Sequence, residues 1–209
     1  MNAPGPMRPA REAALLRALG AQCVVLVGMM GSGKSTAARV LADRLGRTAL
    51  DTDQAIEQRT GRTVREIFAS DGEDAFRAIE SEVLAEALAS PLSLVIATGG
   101  GMVLAERNRR AMRAANARVV WLCADPATTL LDRVRNGMHR PLLDDDPEGT
   151  LRRMFEEREA LYREVADAIV VEAGALGLNE VCPDASIALG IGADGGGDPT
   201  LAIVPRGVA

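Results

Sequence analysis

The sequence predicts an α/β domain, a parallel sheet held between two layers of helices. Three observations carry that class. Short apolar runs at residues 23–28, 92–100, 117–123 and 168–172 have the continuous, β-branched character of strands buried on both faces. Segments with helical features separate them, so the strands connect through β-α units and run parallel. The first run leads into "GMMGSGKS" (28–35), which fits G-x-x-x-x-G-K-[ST] without a mismatch and sits between a strand and a helix, as a phosphate-binding loop requires.

The elements follow in order. Residues 1–21 read as an N-terminal arm ending in a short amphipathic helix, without a clean signal-peptide core. "CVVLVG" (23–28) is the first strand, and the helix within "GSGKSTAARVLADRLG" stops at Gly46. "RTALDTD" (47–53) reads as the second strand. Residues 54–89 read as mostly helical, broken at Gly61 and around "SDGED". "LSLVIATGG" (92–100) is the third strand, "RNRRAMRAAN" a helix, and "ARVVWLC" (117–123) the fourth strand. "PATTLLDRVR" opens on a proline, favoured in the first helical turn. "NGMHRPLLDDDPEG" (136–149) is a polar loop with breakers at both ends. "TLRRMFEEREALYREVA" (150–166) has apolar residues at 151, 154, 155, 161, 162 and 165, a helical spacing. "AIVVE" (168–172) is the fifth strand. "GIGADGGGDPT" begins a glycine-rich tail over 189–209, which ends in the short apolar stretch "LAIVPRGVA".

Composition narrows the function. A net charge of −5, with acids and bases interspersed, argues against nucleic acid as a partner, since a phosphate-backbone binder carries a basic surplus. No apolar run reaches membrane-spanning length. Cys23, Cys123 and Cys182 lie far apart without metal-ligand or disulfide-framework spacing, which points to a reducing cytoplasm. His139, the single histidine, lies in the polar loop and is given no role.

The phosphate loop supplies the first candidate residues: Gly31, Ser32, Gly33, Lys34, Ser35 and Thr36. Glycines let the backbone N–H groups converge on phosphate oxygens, and the helix N-terminus favours anions. Lys34 can reach the β- and γ-phosphates, and the Ser35 hydroxyl can ligate Mg²⁺. GTPases, motors and small-molecule kinases share this loop. The absence of an N-K-x-D-type element favours ATP, and the chain is too short for a motor.

Ligands in open α/β sheets bind beyond the carboxyl ends of the strands. Asp51 and Asp53 stand at one such end, and strand alternation points them the same way, on the order of 7 Å apart. Asp51 can then serve Mg²⁺ while Asp53 orients and deprotonates an acceptor hydroxyl; Asp53 before "QAIE" also fits a helix N-cap. Gly99, Gly100 and Gly101 end the third strand with no side chains, either a turn or a surface on which a ligand meets backbone N–H groups. Arg77 and Glu80 share a helical face, either as an internal ion pair or as a fork held ready for a carboxylate. Arg158 is a second fork or a solvated charge.

Together, "GSGKST", "DTD", "GEDAFRAIE", "TGGG", "RPLL" and "REALYREVA", in this order and spacing, resemble the shikimate kinase family across residues 22–172. The resemblance implies ATP- and Mg²⁺-dependent phosphorylation of the 3-hydroxyl of shikimate, giving shikimate 3-phosphate and ADP for aromatic amino-acid biosynthesis. It implies a P-loop kinase fold with five parallel strands in the order 2-3-1-4-5, in a single domain over 22–188. Substrate-binding helices would occupy about 53–90 and a lid about 135–150. Asp53 matches the substrate-binding aspartate and favoured base. Arg77 and Arg158 match the arginines that hold the shikimate carboxylate, and Gly100 matches a backbone contact to substrate. Ser35 and Asp51 match the Mg²⁺-holding residues, Arg140 the lid arginine that joins Lys34 on the phosphates, and Arg133 the residue near adenine. After the fifth strand, "VEAGALGLNEV" lacks the arginine many members carry near adenine. A monomer is expected. A kinase of another small polyol acid, such as gluconate, and a non-catalytic nucleotide-binding protein are the alternatives.

Overall fold

The computed structural model describes residues 23–124, 130, 146–171 and 201–202. Its elements are β1 (Cys23–Val27), α1 (Lys34–Leu45), β2 (Thr48–Asp51), α2 (Thr52–Thr60), α3 (Val64–Ala89), β3 (Leu94–Ala97), α4 (Glu106–Ala114), β4 (Ala117–Cys123), α5 (Pro147–Val165), β5 (Ala168–Val171) and β6 (Leu201–Ala202). The strands form one sheet in the order β2-β3-β1-β4-β5-β6. The first five are parallel, in the expected order. β6 adds a short antiparallel edge, with Leu201 opposite Val170, inside the stretch "LAIVPRGVA" that the sequence left unassigned.

Both faces of the sheet are covered, which is why its strands read as continuous apolar runs. Val24 and Leu26 of β1 pack with Val95 and Ala97 of β3 against Ala38 and Ala42 of α1. Cys23, Val25 and Val27 face the other way, into a larger core with Leu84, Met112, Trp121, Tyr162 and Val165. A third cluster of Ile56, Ile67, Phe76 and Val83 joins α2 to α3. Ile56 and Ile67 are fully buried, so truncating either to alanine costs about 2–5 kcal/mol. Cys23 and Cys123 are buried and form no disulfide.

Helix ends obey local chemistry. Gly46 and Gly61 adopt left-handed φ values of 61° and 66° and end α1 and α2. Thr63 and Glu66 form a capping box at the start of α3. Gly72, within "SDGED", has φ 84° and ψ 175°, a non-helical joint inside α3 at the expected break. Three boundaries near the site differ from expectation. β3 ends at Ala97, so the glycine run follows the strand and does not end it. β2 ends at Asp51, not Asp53, because the Asp51 carboxylate caps a helix that begins at Thr52. The polar loop ends by Asp146, which caps α5 by accepting from Gly149 N–H, with Pro147 in the first turn. Residues 147–149, read as part of the polar loop, are therefore helical. The expected N-terminal arm, the expected helix in "PATTLLDRVR" apart from Leu130, and the expected lid over about 135–150 up to residue 145 lie outside the described residues, as does the tail apart from β6.

Candidate active site

The parallel register brings the carboxyl ends of β1, β2 and β3 to one level: Leu26 and Asp51 both lie opposite Ala97. A cleft of about 830 Å³ opens there, lined by the phosphate loop, Asp51, Asp53, Thr98, Gly99 and Gly100. In the loop, Gly31 and Gly33 take φ values of 79° and 87°, which a side chain would strain. Gly33 begins α1 without a side-chain cap, so the helix N-terminus stays open to an anion. Lys34 Nζ lies across this loop, donating to Met29 O at 2.7 Å and Ser32 Oγ at 3.3 Å.

Ser35 Oγ donates to Asp51 Oδ2 at 2.6 Å. The other oxygen of Asp51 accepts the backbone N–H groups of Asp53 (3.1 Å) and Gln54 (3.4 Å). Asp51 is thus the N-cap of α2, a role the sequence suggested for Asp53. The two carboxylates do not alternate along one strand, because the chain turns helical between them. A hydroxyl and a single carboxylate, both hard oxygen donors lining the cleft, fit Mg²⁺, which completes its shell with phosphates and water. Among the described residues, no group of three or more His, Cys, Asp or Glu side chains could hold a metal alone.

Asp53 lies in the first turn of α2, and its Oδ1 is buried without a hydrogen-bond partner among the described residues. Burial pushes its carboxyl up to about 6; the charges of Asp51 and Glu80 push the same way, and Lys34 opposes them. Its neighbour Gly99 requires the absence of a side chain. A Cβ there would stand 2.5 Å from Glu80 Oε1 and 3.0 Å from Asp53 Oδ1. The threonines on either side brace the run: Gly99 N–H donates to Thr52 Oγ1 at 3.0 Å, and Thr98 Oγ1 donates to Leu26 O at 3.0 Å.

Arg77 and Arg158 approach the same glycine run from different helices. Arg77 Nη1 donates to Glu80 Oε2 at 2.8 Å, and Nη2 donates to Glu73 Oε1 at 2.9 Å. Its guanidinium rests over the Phe76 ring (5.4 Å) and against Gly101, where a Cβ would come within 2.5 Å of Cζ. Glu80 is wholly buried, and burial raises its carboxyl, although Arg77 pulls it down. Arg158, far from solvated, is 6% exposed. Its Nη1 donates to Gly100 O at 3.4 Å, while Nε is buried without a hydrogen-bond partner among the described residues. Tyr162 donates its hydroxyl to the same Gly100 oxygen at 2.6 Å.

The structure thus brings together Lys34, Ser35, Asp51, Asp53, Arg77, Gly99–Gly101 and Arg158. Arg133, Arg140, His139 and Cys182 lie outside the described residues. Sequence reasoning missed Thr52, Thr98 and Tyr162. Only Tyr162 carried a signal: it follows Arg158 by four residues and shares its helical face.

A phosphate loop opening onto a carboxylate, a bare glycine run and two arginines, one buried and one partly buried, defines a P-loop kinase of a small acidic acceptor. The family model described as shikimate kinase matches residues 30–181, and the chain belongs to that family. A shikimate kinase of Symbiobacterium thermophilum is 51% identical over 146 residues, 68% of this chain and 82% of its own. The solved structure of shikimate kinase from Acinetobacter baumannii in complex with shikimate superposes with a TM-score of 0.68 at 39% identity, covering 78% of this chain and 89% of that one. A gluconokinase from Sinorhizobium meliloti, at 20% identity and a TM-score of 0.51, shares the fold.

Proposed function

We propose that this chain transfers the γ-phosphoryl group of ATP to the 3-hydroxyl of shikimate. The observation that carries this reading is the convergence of Arg77 and Arg158 on Gly101 and Gly100, with Asp53 beside Gly99. Two arginine forks at one end of a crevice suit a carboxylate, and an unpartnered carboxylate at the other suits a hydroxyl.

Arg77 and Arg158 hold the acid end of the acceptor, and the glycine run lets its ring lie against the backbone. Asp53 accepts a hydrogen bond from the hydroxyl and aims its oxygen at the γ-phosphorus. As the new O–P bond forms, the bond to the β-γ bridging oxygen breaks and its electron pair leaves with ADP. The hydroxyl proton passes to Asp53. Lys34 and the loop N–H groups balance the phosphate charge. Ser35 and Asp51 would hold Mg²⁺, which supplies charge neutralisation when bound. Arg140 and Arg133 retain the phosphate and adenine roles that the resemblance gives them. A monomer working in the cytoplasm belongs to the same reading.

A coupled ADP-release assay with ATP, Mg²⁺ and shikimate tests the proposal. Shikimate-dependent turnover is expected, with gluconate inert. Folded protein that releases no ADP in response to shikimate refutes it.

A further inference from the structure

We propose that Tyr162 is a positioning residue for the acceptor, acting through the Gly100 carbonyl. The inference rests on the shikimate kinase reading above and names a residue to which that reading gave no role.

Gly100 sits in a run with no side chains to anchor it, so its peptide planes are fixed only by their hydrogen bonds. Met102 N–H donates to Gly99 O and Leu104 N–H to Gly101 O, which pins the flanking carbonyls in successive turns. The carbonyl between them is held from outside the run, by Tyr162 at 2.6 Å and by Arg158 at 3.4 Å. A trans peptide is planar, so its N–H points opposite its C=O. Fixing Gly100 O therefore fixes the direction of Gly101 N–H, which has no partner among the described residues.

The two donors differ in what else they do. Arg158 stands at the long limit of a hydrogen bond, its Nε has no hydrogen-bond partner, and its fork is assigned to the acceptor carboxylate. An arriving carboxylate competes for it. Tyr162 is assigned no contact with the substrate, and its hydroxyl lies between Gly100 O and the Arg158 guanidinium. Its ring is 1% exposed, stacked on Trp121 with centroids 5.6 Å apart, and its hydroxyl makes the short bond. When Arg158 turns to the substrate, Tyr162 keeps the Gly100–Gly101 peptide in place.

The test compares full-length wild type with Tyr162→Phe, which keeps the ring and its stacking and removes only the hydroxyl, with its bond to Gly100 O and its contact with Arg158. Wild-type turnover of shikimate tests the underlying function by itself. For the variant, the shikimate KM and the calorimetric shikimate Kd are expected to rise about tenfold, the scale of one lost hydrogen bond to an aligned group. The ATP KM and kcat are expected to stay within about threefold on the same scale. Val165→Ala, a buried change in the same helix that leaves Tyr162 in place, serves as the packing control. It is expected to lower Tm while leaving the shikimate KM unchanged. An unchanged shikimate KM in Tyr162→Phe overturns the inference, whatever happens to Tm. So does a parallel rise in the ATP and shikimate KM values, which would mark a general loosening of the fold.

Discussion

Replacing Asp53 with asparagine should damage catalysis and stabilise the fold at once. The wild-type carboxyl is pushed from its ordinary 3.8 to about 6 by burial and by the charges of Asp51 and Glu80. A carboxyl with a raised folded-state pKa binds its proton more tightly in the native chain than in the unfolded chain. Stability therefore falls as pH climbs from about 4 to about 6, and the whole penalty is present above that window. The gap between 3.8 and about 6 corresponds to about 3 kcal/mol at pH 7 to 8. Asparagine is isosteric and carries no charge, so it recovers up to this amount at pH 8 and almost none at pH 4. Urea unfolding of both proteins at the two pH values measures the difference. In the same preparations, shikimate turnover should fall at least 100-fold while ATP binding persists. An asparagine variant no more stable than wild type at pH 8 would show that burial does not strain this carboxylate. Near-normal turnover would remove it from the chemistry.

Further expectations concern the same crevice. The kcat/KM for shikimate should drop on the acid side about tenfold per pH unit below about 6, because protonated Asp53 neither accepts a proton nor orients the hydroxyl; a profile flat down to pH 5 excludes that role. Arg77→Ala should weaken shikimate binding by about 10- to 100-fold with ATP binding intact, and should also destabilise the fold, since Glu80 would be buried without its counter-charge. Titration calorimetry with each ligand separates these effects, and an unchanged shikimate Kd argues against the assignment. Gly99→Ala should abolish turnover while sparing nucleotide binding, because the new methyl group meets Glu80 and Asp53; an active alanine variant would mean that the crevice can widen there.

Most of this site was legible because its chemistry is local. The phosphate loop announces itself by glycine spacing between a strand and a helix. Arg77 and Glu80 could be paired from their helical offset alone. What the sequence could not show arises where elements meet. Asp51 and Asp53 look like alternate residues of a strand until the cap formed by Asp51 turns the chain helical at Thr52. Arg158 sits in a run of charges that by itself leaves a fork and a solvated charge equally open, and only the packing of its helix shows that it turns into the core beside Tyr162. The same limit applied to "LAIVPRGVA": two residues of it complete a sheet edge, and only the position of β5 reveals that.

The distribution of buried polar atoms without a hydrogen bond argues independently for the acceptor's chemistry, although Arg158 Nε also stands 3.8 Å from Glu157 Oε2. Buried groups without partners are rare, and each costs about 1–3 kcal/mol. Among the described residues there are four such side-chain atoms, and three of them belong to the walls of the glycine run: Asp53 Oδ1, Glu80 Oε1 and Arg158 Nε. Two are acceptors set against Gly99, and one is a donor on the arginine that bonds Gly100. A ligand that satisfies all three must offer hydroxyl hydrogens at one end and an acceptor oxygen at the other, and beside the Arg158 charge an anionic oxygen makes the stronger bond. A neutral sugar offers Arg158 only the weaker, uncharged bond, and a simple carboxylic acid leaves Asp53 and Glu80 unmet. A cyclic hydroxy acid meets both demands, and those demands come from side chains outside the phosphate loop. The part of the chain that separates this kinase from other P-loop proteins is thus the part that the fold alone leaves unsatisfied.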